Sequence, residues 1–212
     1  KGLDEIITIQ LKYSANVLNY PLIFHATVPQ GKIKLVDFRN LSIYSIPLQH
    51  RIPCTGFIFE ENKPRVHLNK EMMSKHRPSV TDIHILQSGQ DVKDKAGNVI
   101  YKASDFCEIT PPRKYSYCSD TAFNLDLVPF IKETDLLYHE STFMESERKR
   151  AKQTKHSTAK EAALIAKAAN VKNLLLGHYS SRYDKLDLLL NEAKEIFEAS
   201  LLSEEGTTYT IK

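Results

Sequence analysis

Side chains able to hold a metal ion or move a proton recur at the ends of apolar runs in this chain. Tyr115-Ser-Tyr-Cys-Ser ends at Asp120, Leu136-Leu-Tyr ends at His139-Glu140, and Leu174-Leu-Leu-Gly ends at His178. Imidazole nitrogen and carboxylate oxygen suit a borderline divalent cation such as Zn²⁺. A carboxylate shared by two such ions holds them close enough to clamp one phosphate. His50 adds a further donor on backbone that Pro47 and Pro53 stiffen. Each has a plainer reading too: Asp120 as a turn or helix N-cap residue, the histidines as structural side chains bonded to backbone. His50, Asp120 and His178 alone do not complete two zinc shells. Glu140 and His156 read as a separate pair. A carboxylate bonded to an imidazole fixes its tautomer and favours its protonated form, which suits a general acid beside a departing oxygen.

Residues so distant in sequence can meet only if the fold gathers them. Short continuous apolar runs read as buried strands of a sheet covered by helices, and functional groups then collect beyond the carboxyl ends of those strands. The pattern predicts a helix from residue 3 to about 18 and strands at 21–28, 32–38, 41–46 and 52–59, the last with a bulge or turn near Pro53 and Gly56. Residues 62–112 are polar, broken by Pro64, Pro78, Gly89 and Gly97, with turn chemistry in Asp94-Lys-Ala-Gly-Asn98. They read as an inserted arm, not a separate domain. After 113 come a strand to Asp120, a short helix around 125–131 and a strand to Glu140. Thr158 and Glu161 form a capping-box signature, with Ser157 the other candidate cap. The helix it opens turns Ala162, Ala163, Ile165, Ala166 and Ala169 inward and ends at Asn170. A strand at Leu174–Leu176, a helix over 184–198 with Leu188, Leu189, Ala193 and Ile196 inward, and a strand at Thr207–Ile211 complete an interleaved α/β chain.

The 212 residues, 42% hydrophobic and 26% charged, fit a soluble globular protein. No apolar run approaches the roughly 18–20 residues that span a bilayer, and nothing at the start resembles a secretory signal. Cys54, Cys107 and Cys118 lack CxxC spacing, which argues against a zinc ribbon or a disulfide framework and for a reducing cytoplasm. A net charge of +3 is too small by itself to imply nucleic-acid binding. Its placement is more telling, because Arg148, Lys149, Arg150, Lys152, Lys155 and Lys160 have no acid between them and surround His156. Such a run is either a solvated face or a phosphate-attracting patch.

Pro47-Leu-Gln-His-Arg-Ile-Pro-Cys-Thr-Gly-Phe, Tyr117-Cys-Ser-Asp-Thr, His139-Glu-Ser-Thr-Phe, His156-Ser-Thr-Ala and Gly177-His-Tyr-Ser-Ser-Arg-Tyr resemble, in this order, the downstream motifs of the ribonuclease Z family. These are transfer-RNA 3′-processing endoribonucleases of the metallo-β-lactamase superfamily. The resemblance runs over nearly the whole chain and is weakest over 62–110. It implies an α/β, four-layer αβ/βα sandwich incomplete at the N-terminus, a homodimer, two Zn²⁺ per site, and cleavage of precursor tRNA after the discriminator base to leave a 3′-hydroxyl. It makes His50 a ligand of one zinc, Asp120 the bridging carboxylate and His178 a ligand of the second. It makes His156, supported by Glu140, the proton donor to the leaving oxygen. Arg182, Arg148, Lys152 and Lys155 become phosphate contacts, with Arg113 and Lys114 as further candidates. The family's His-x-His-x-Asp-His motif is absent from these residues. The chain is therefore expected to be the downstream two-thirds of a longer protein, binding zinc poorly and inactive by itself. Residues 1–212 then form one partial domain, with an arm at about 62–112 in the place of the family's tRNA clamp but without a Gly-Pro-rich tip. Two other readings are another metallo-β-lactamase-fold hydrolase, acting on a thioester, lactam or small phosphodiester, and a non-catalytic scaffold for RNA binding or dimerisation. The two histidine motifs, His139-Glu-Ser-Thr and His156-Ser-Thr, favour the nuclease.

Overall fold

Every strand that ends in a candidate site residue lies in one seven-stranded sheet. The structure, a computed structural model, describes residues 2–14 and 17–211. The first half runs α1 (Leu3–Tyr13), β1 (Ile33–Phe38), β2 (Leu41–Leu48), β3 (Cys54–Glu61), β4 (Arg65–Leu68), α2 (Lys70–His76), α3 (Val80–Gln87), β5 (Val92–Lys93), β6 (Val99–Tyr101), α4 (Ala103–Phe106) and β7 (Cys107–Thr110). There follow β8 (Lys114–Cys118), α5 (Val128–Ile131), β9 (Leu136–Glu140), α6 (Arg148–Thr154), α7 (Ala159–Ala168), β10 (Asn173–Gly177), α8 (Asp187–Lys194) and β11 (Ser200–Leu202). The large sheet has the order β1-β2-β3-β8-β9-β10-β11. β1, β2 and β3 form an antiparallel meander, and β3 pairs antiparallel with β8. From β8 through β9 and β10 to β11 the strands are parallel.

One face of the sheet is sealed by helices. Ile46, Ile58, Leu137, Leu174 and Leu176 are fully buried there against Ala162, Ala163, Ile165 and Ala166 of α7 and Leu189 and Ala193 of α8. The alanines let the α7 backbone come close to the strands, while each fully buried leucine or isoleucine contributes roughly 1.5–3 kcal/mol. The predicted start of α7 is present: Thr158 accepts from the Glu161 N–H, and the Glu161 carboxylate accepts from the Thr158 N–H. Asn170 adopts φ 50°, as its terminator role requires. The opposite face carries half-buried Phe57, Phe59, Tyr115, Tyr117 and Tyr138 in directly paired positions. Tyr117 and Tyr138 stack at 4.7 Å. Sheet and helices are thus two layers of the expected four among the described residues.

Residues 65–110 build two small sheets, β4 with β7 and β5 with β6, beside α2, α3 and α4. Leu86, Val92, Ala103, Phe106 and Cys107 give them an apolar cluster of their own. The hairpin turn at 94–98 is as expected, with Asp94 Oδ1 accepting from the Ala96 and Asn98 N–H groups.

Several sequence expectations give way. Residues 21–28 form no strand, and Leu22, Ile23, Phe24 and Val28 are exposed. An apolar run becomes a strand only where a neighbouring edge satisfies its N–H and C=O groups. α1 ends at Tyr13, and residues 15 and 16 of the longer predicted helix lie outside the described residues. Pairing of β3 with β2 continues unshifted through Gly56, so there is no bulge. A Cβ at Gly56 would instead stand 2.7 Å from the Tyr117 carbonyl of the neighbouring strand. The last strand is Ser200–Leu202, not 207–211, where the Tyr209 hydroxyl donates to the Leu202 carbonyl instead. Leu188, predicted inward, is 53% exposed, because α8 turns Leu189 and Ala193 to the core.

Candidate active site

Strand direction decides where the chemistry falls. β8, β9 and β10 are parallel and neighbouring, so Asp120, Glu140 and His178 leave the sheet at one end. β2 arrives antiparallel to β3, which puts their connection, and His50 in it, at that same end. Hydrogen bonds tie this connection to the β8 loop: Ala122 N–H to the Gln49 carbonyl, and Gln49 N–H to Thr121 Oγ1. His156 enters just before the α7 N-cap. One donor atom each from Asp120, Glu140, His156 and His178 lies within 4.8 Å of the others. The His50 and His156 rings stand 5.1 Å apart, and His156 stacks on His178 at 5.2 Å. Asp120 and His178 both adopt left-handed backbone, φ 55° and 59°. That conformation is uncommon outside glycine and concentrates at functional sites.

Glu140 is fully buried and accepts four hydrogen bonds. Oε1 takes the Thr121 N–H at 2.6 Å and His156 Nδ1 at 2.8 Å; Oε2 takes the Ser157 N–H at 3.0 Å and the Thr142 hydroxyl at 2.7 Å. Burial pushes its carboxyl upward, but the bonds from His156, Ser157 and Thr142 outweigh it and hold the carboxyl below its ordinary value. With both oxygens occupied, Glu140 has nothing left for an ion. It raises His156 above its ordinary value, chiefly through their hydrogen bond, and leaves Nε2 as that ring's free nitrogen. His139, the residue before, is fully buried, its Nδ1 bonded to the Glu140 carbonyl at 2.7 Å, and burial lowers its pKa.

The remaining donors fit a divalent ion. Asp120 Oδ1 and His178 Nε2 converge at 3.1 Å, both partly open to solvent. His50 Nδ1 is 2.9 Å from the Lys155 carbonyl, which only accepts, so Nδ1 carries the proton and Nε2 is free. Metal-binding histidines are oriented in this manner, and nitrogen with carboxylate oxygen is the donor set of zinc.

Beside His156 opens a cavity of about 550 Å³ lined by Gln49, Phe123, Lys149, Lys152 and Lys155, with Arg148 and Glu161 at its wall. Lys149, Lys152 and Lys155 make no ion pair among the described residues. Arg148 does: it pairs with Glu161 at 3.1 Å and Glu145 at 3.5 Å. The run that looks free of acid along the chain meets acid in space. Arg182 lies over the Phe143 ring at 5.2 Å, near Glu147 at 3.6 Å. Arg113 and Lys114 fall at the other end of β8, Arg113 on Glu61 at 2.6 Å and Lys114 on the Phe130 and Lys132 carbonyls. They are structural, not part of this site. Sequence reasoning missed Thr142, Gln49 and Phe123. The motif containing Thr142 was visible, but its hydrogen bonds depend on folding.

No family model matches the chain. Among solved structures, the chain resembles the metallo-β-lactamase-fold protein YhfI of Bacillus subtilis at TM-score 0.60 and 16% identity, covering 99% of this chain and 62% of that one. It also resembles human tRNase Z, short form, at TM-score 0.64 and 21% identity, covering all of this chain and 64% of that one. Fold and site therefore define a protein of the metallo-β-lactamase fold. Curated proteins named ribonuclease Z are much closer in sequence. That of Cytophaga hutchinsonii is 43% identical over 211 residues, and that of Bacteroides fragilis 40% over 206. These alignments take in 99% and 97% of this chain and 67% and 68% of the relatives. The chain belongs to the ribonuclease Z family.

Proposed function

We propose that the protein is a zinc-dependent endoribonuclease that cuts precursor tRNA to generate its mature 3′ end, working as a cytoplasmic homodimer. Family membership supports the reaction. The observation that carries the site is the meeting of Asp120, Glu140, His156 and His178 at one end of the parallel strands, with His50 beside them. In this reading His50, Asp120 and His178 hold the metal, which would make water a stronger acid and offset charge on the phosphoryl oxygens. Glu140 holds His156 by Nδ1, so that Nε2 carries the proton delivered to the departing 3′ oxygen. Lys152, Lys155 and the neighbouring Lys149 bind backbone phosphates from the cavity beside His156, with Arg148 and Arg182 at the margins. Residues 1–212 act as one domain, with the 62–112 segment, which has a small apolar core of its own, inserted in it as an arm. Among the described residues no helix is long and apolar enough to cross a membrane.

The test is cleavage by the full-length protein of a precursor tRNA and of a small phosphodiester, with metal content measured in parallel. Turnover of the small molecule alone would exclude the tRNA reading. His156→Ala should slow cleavage roughly 10²–10⁴-fold with metal retained, whereas Asp120→Ala should lose metal. Retained metal in Asp120→Ala would remove that residue from the ligand set.

A further inference from the structure

Thr142 stands between the two ends of the site. Its hydroxyl lies 2.7 Å from Glu140 Oε2 and 2.9 Å from His178 Nδ1. A hydroxyl has one proton to give. Glu140 is ionised and can only accept, so that proton goes to the carboxylate. The contact to His178 must then run the other way, with Nδ1–H donating to Thr142 Oγ1. With Nδ1 carrying a proton, Nε2, the atom 3.1 Å from Asp120 Oδ1, is the nitrogen left to take a cation. Two lone pairs do not face each other at that distance without a cation or a proton between them.

We infer that Thr142 is a positioning residue that passes the orientation of Glu140 on to His178 and presents its Nε2 to the metal. Glu140 then governs two histidines at once: His156 directly through Oε1, His178 through Oε2 and one hydroxyl. The arrangement is short and rigid. Thr142 is 7% exposed and Ser141 beside it is fully buried. The Ser141 N–H and hydroxyl both bond to the Gly177 carbonyl, at 2.8 Å and 3.1 Å, while the Ser180 N–H reaches the Thr142 carbonyl at 3.2 Å. These bonds fix the loop after β9 against the loop after β10, so the hydroxyl has a single site to serve.

The test, on the full-length protein, compares wild type with Thr142→Val, which keeps the shape without the hydroxyl, and Thr142→Ser, which keeps the hydroxyl. Nitrogen-15 NMR of the metal-free protein reads the His178 tautomer. Wild type and the Ser variant should carry a proton on Nδ1 whether or not Nε2 also shares one with Asp120, and the Val variant, with Nδ1 left without an acceptor, should not. Zn²⁺ affinity, measured by competition with a chelator, should fall roughly 10–100-fold in the Val variant and be largely kept by Ser. A Val variant with the wild-type tautomer, or with unchanged affinity, would overturn the inference. The affinity arm rests on the metal-centre reading proposed above, and His178→Ala separates the two. Unchanged affinity in His178→Ala refutes His178 as a ligand, while the tautomer measurement still judges Thr142.

Discussion

Replacing Glu140 by Gln changes one oxygen into an NH₂ group, and the geometry lets the consequence be worked out. Four donors converge on Glu140: the Thr121 and Ser157 N–H groups, the Thr142 hydroxyl and His156 Nδ1. A glutamine carbonyl can keep the two donors on its own side. If the NH₂ takes the Oε1 side, His156 can switch tautomer and accept, but the Thr121 N–H meets another donor. If it takes the Oε2 side, the Thr142 hydroxyl can turn and accept, but the Ser157 N–H is stranded. Either way one buried backbone N–H is orphaned, at about 1–3 kcal/mol, and the charge-assisted bonds are lost as well. The expected destabilisation is on the order of 3 kcal/mol. His156 also loses the carboxylate that raises it, so single-turnover cleavage should slow about 10²–10⁴-fold. Urea denaturation and single-turnover kinetics on the full-length protein measure both. A variant within about 0.5 kcal/mol of wild type, the range of an ordinary surface change, and cutting at the wild-type rate would refute the hydrogen-bond account of Glu140.

Gly177→Ala should destabilise by about 1–3 kcal/mol through overpacking, because its Cβ would strike the Tyr138 ring and hydroxyl. Thermal melts should show Tyr138→Ala relieving part of that loss, and purely additive effects would contradict the clash. Glu61 is held below its ordinary 4.5 by the Arg113 guanidinium, so its stabilising contribution is present above that value and disappears as pH falls through the lower folded one. Glu61→Gln should flatten the acid limb of a stability–pH curve, and an identical limb would count against the pair. Lys152→Glu should weaken precursor binding and make the slope of log affinity against log salt shallower, by about one for each phosphate that residue 152 ceases to neutralise. An unchanged slope would take Lys152 off the RNA path.

Much of the site was legible from residue type and order. Asp120, Glu140 and His178 each follow an apolar strand, and parallel strands deliver their ends to one place. The Thr158–Glu161 cap and the alanine face of α7 were equally readable, since capping and helical periodicity are local properties. The run at 21–28 failed because strand formation depends on a partner edge, which local hydrophobicity does not supply. Arg148 looked unpaired for the same kind of reason, since Glu161 and Glu145 reach it only through folding.

The chain's chemistry, then, was written in its order of side chains: which groups can coordinate, which can shuttle a proton, and which strands bring them to one end. What only the tertiary structure decided was which further groups hold each of them in its role. Sequence pairs Glu140 with His156 alone, whereas folding also points the Thr121 and Ser157 N–H groups and the Thr142 hydroxyl at it, which occupies both oxygens and keeps it from an ion. Hydrogen bonds act over about 3 Å and within narrow angles, and spacing along a chain carries no information at that scale about residues 16 to 36 positions apart.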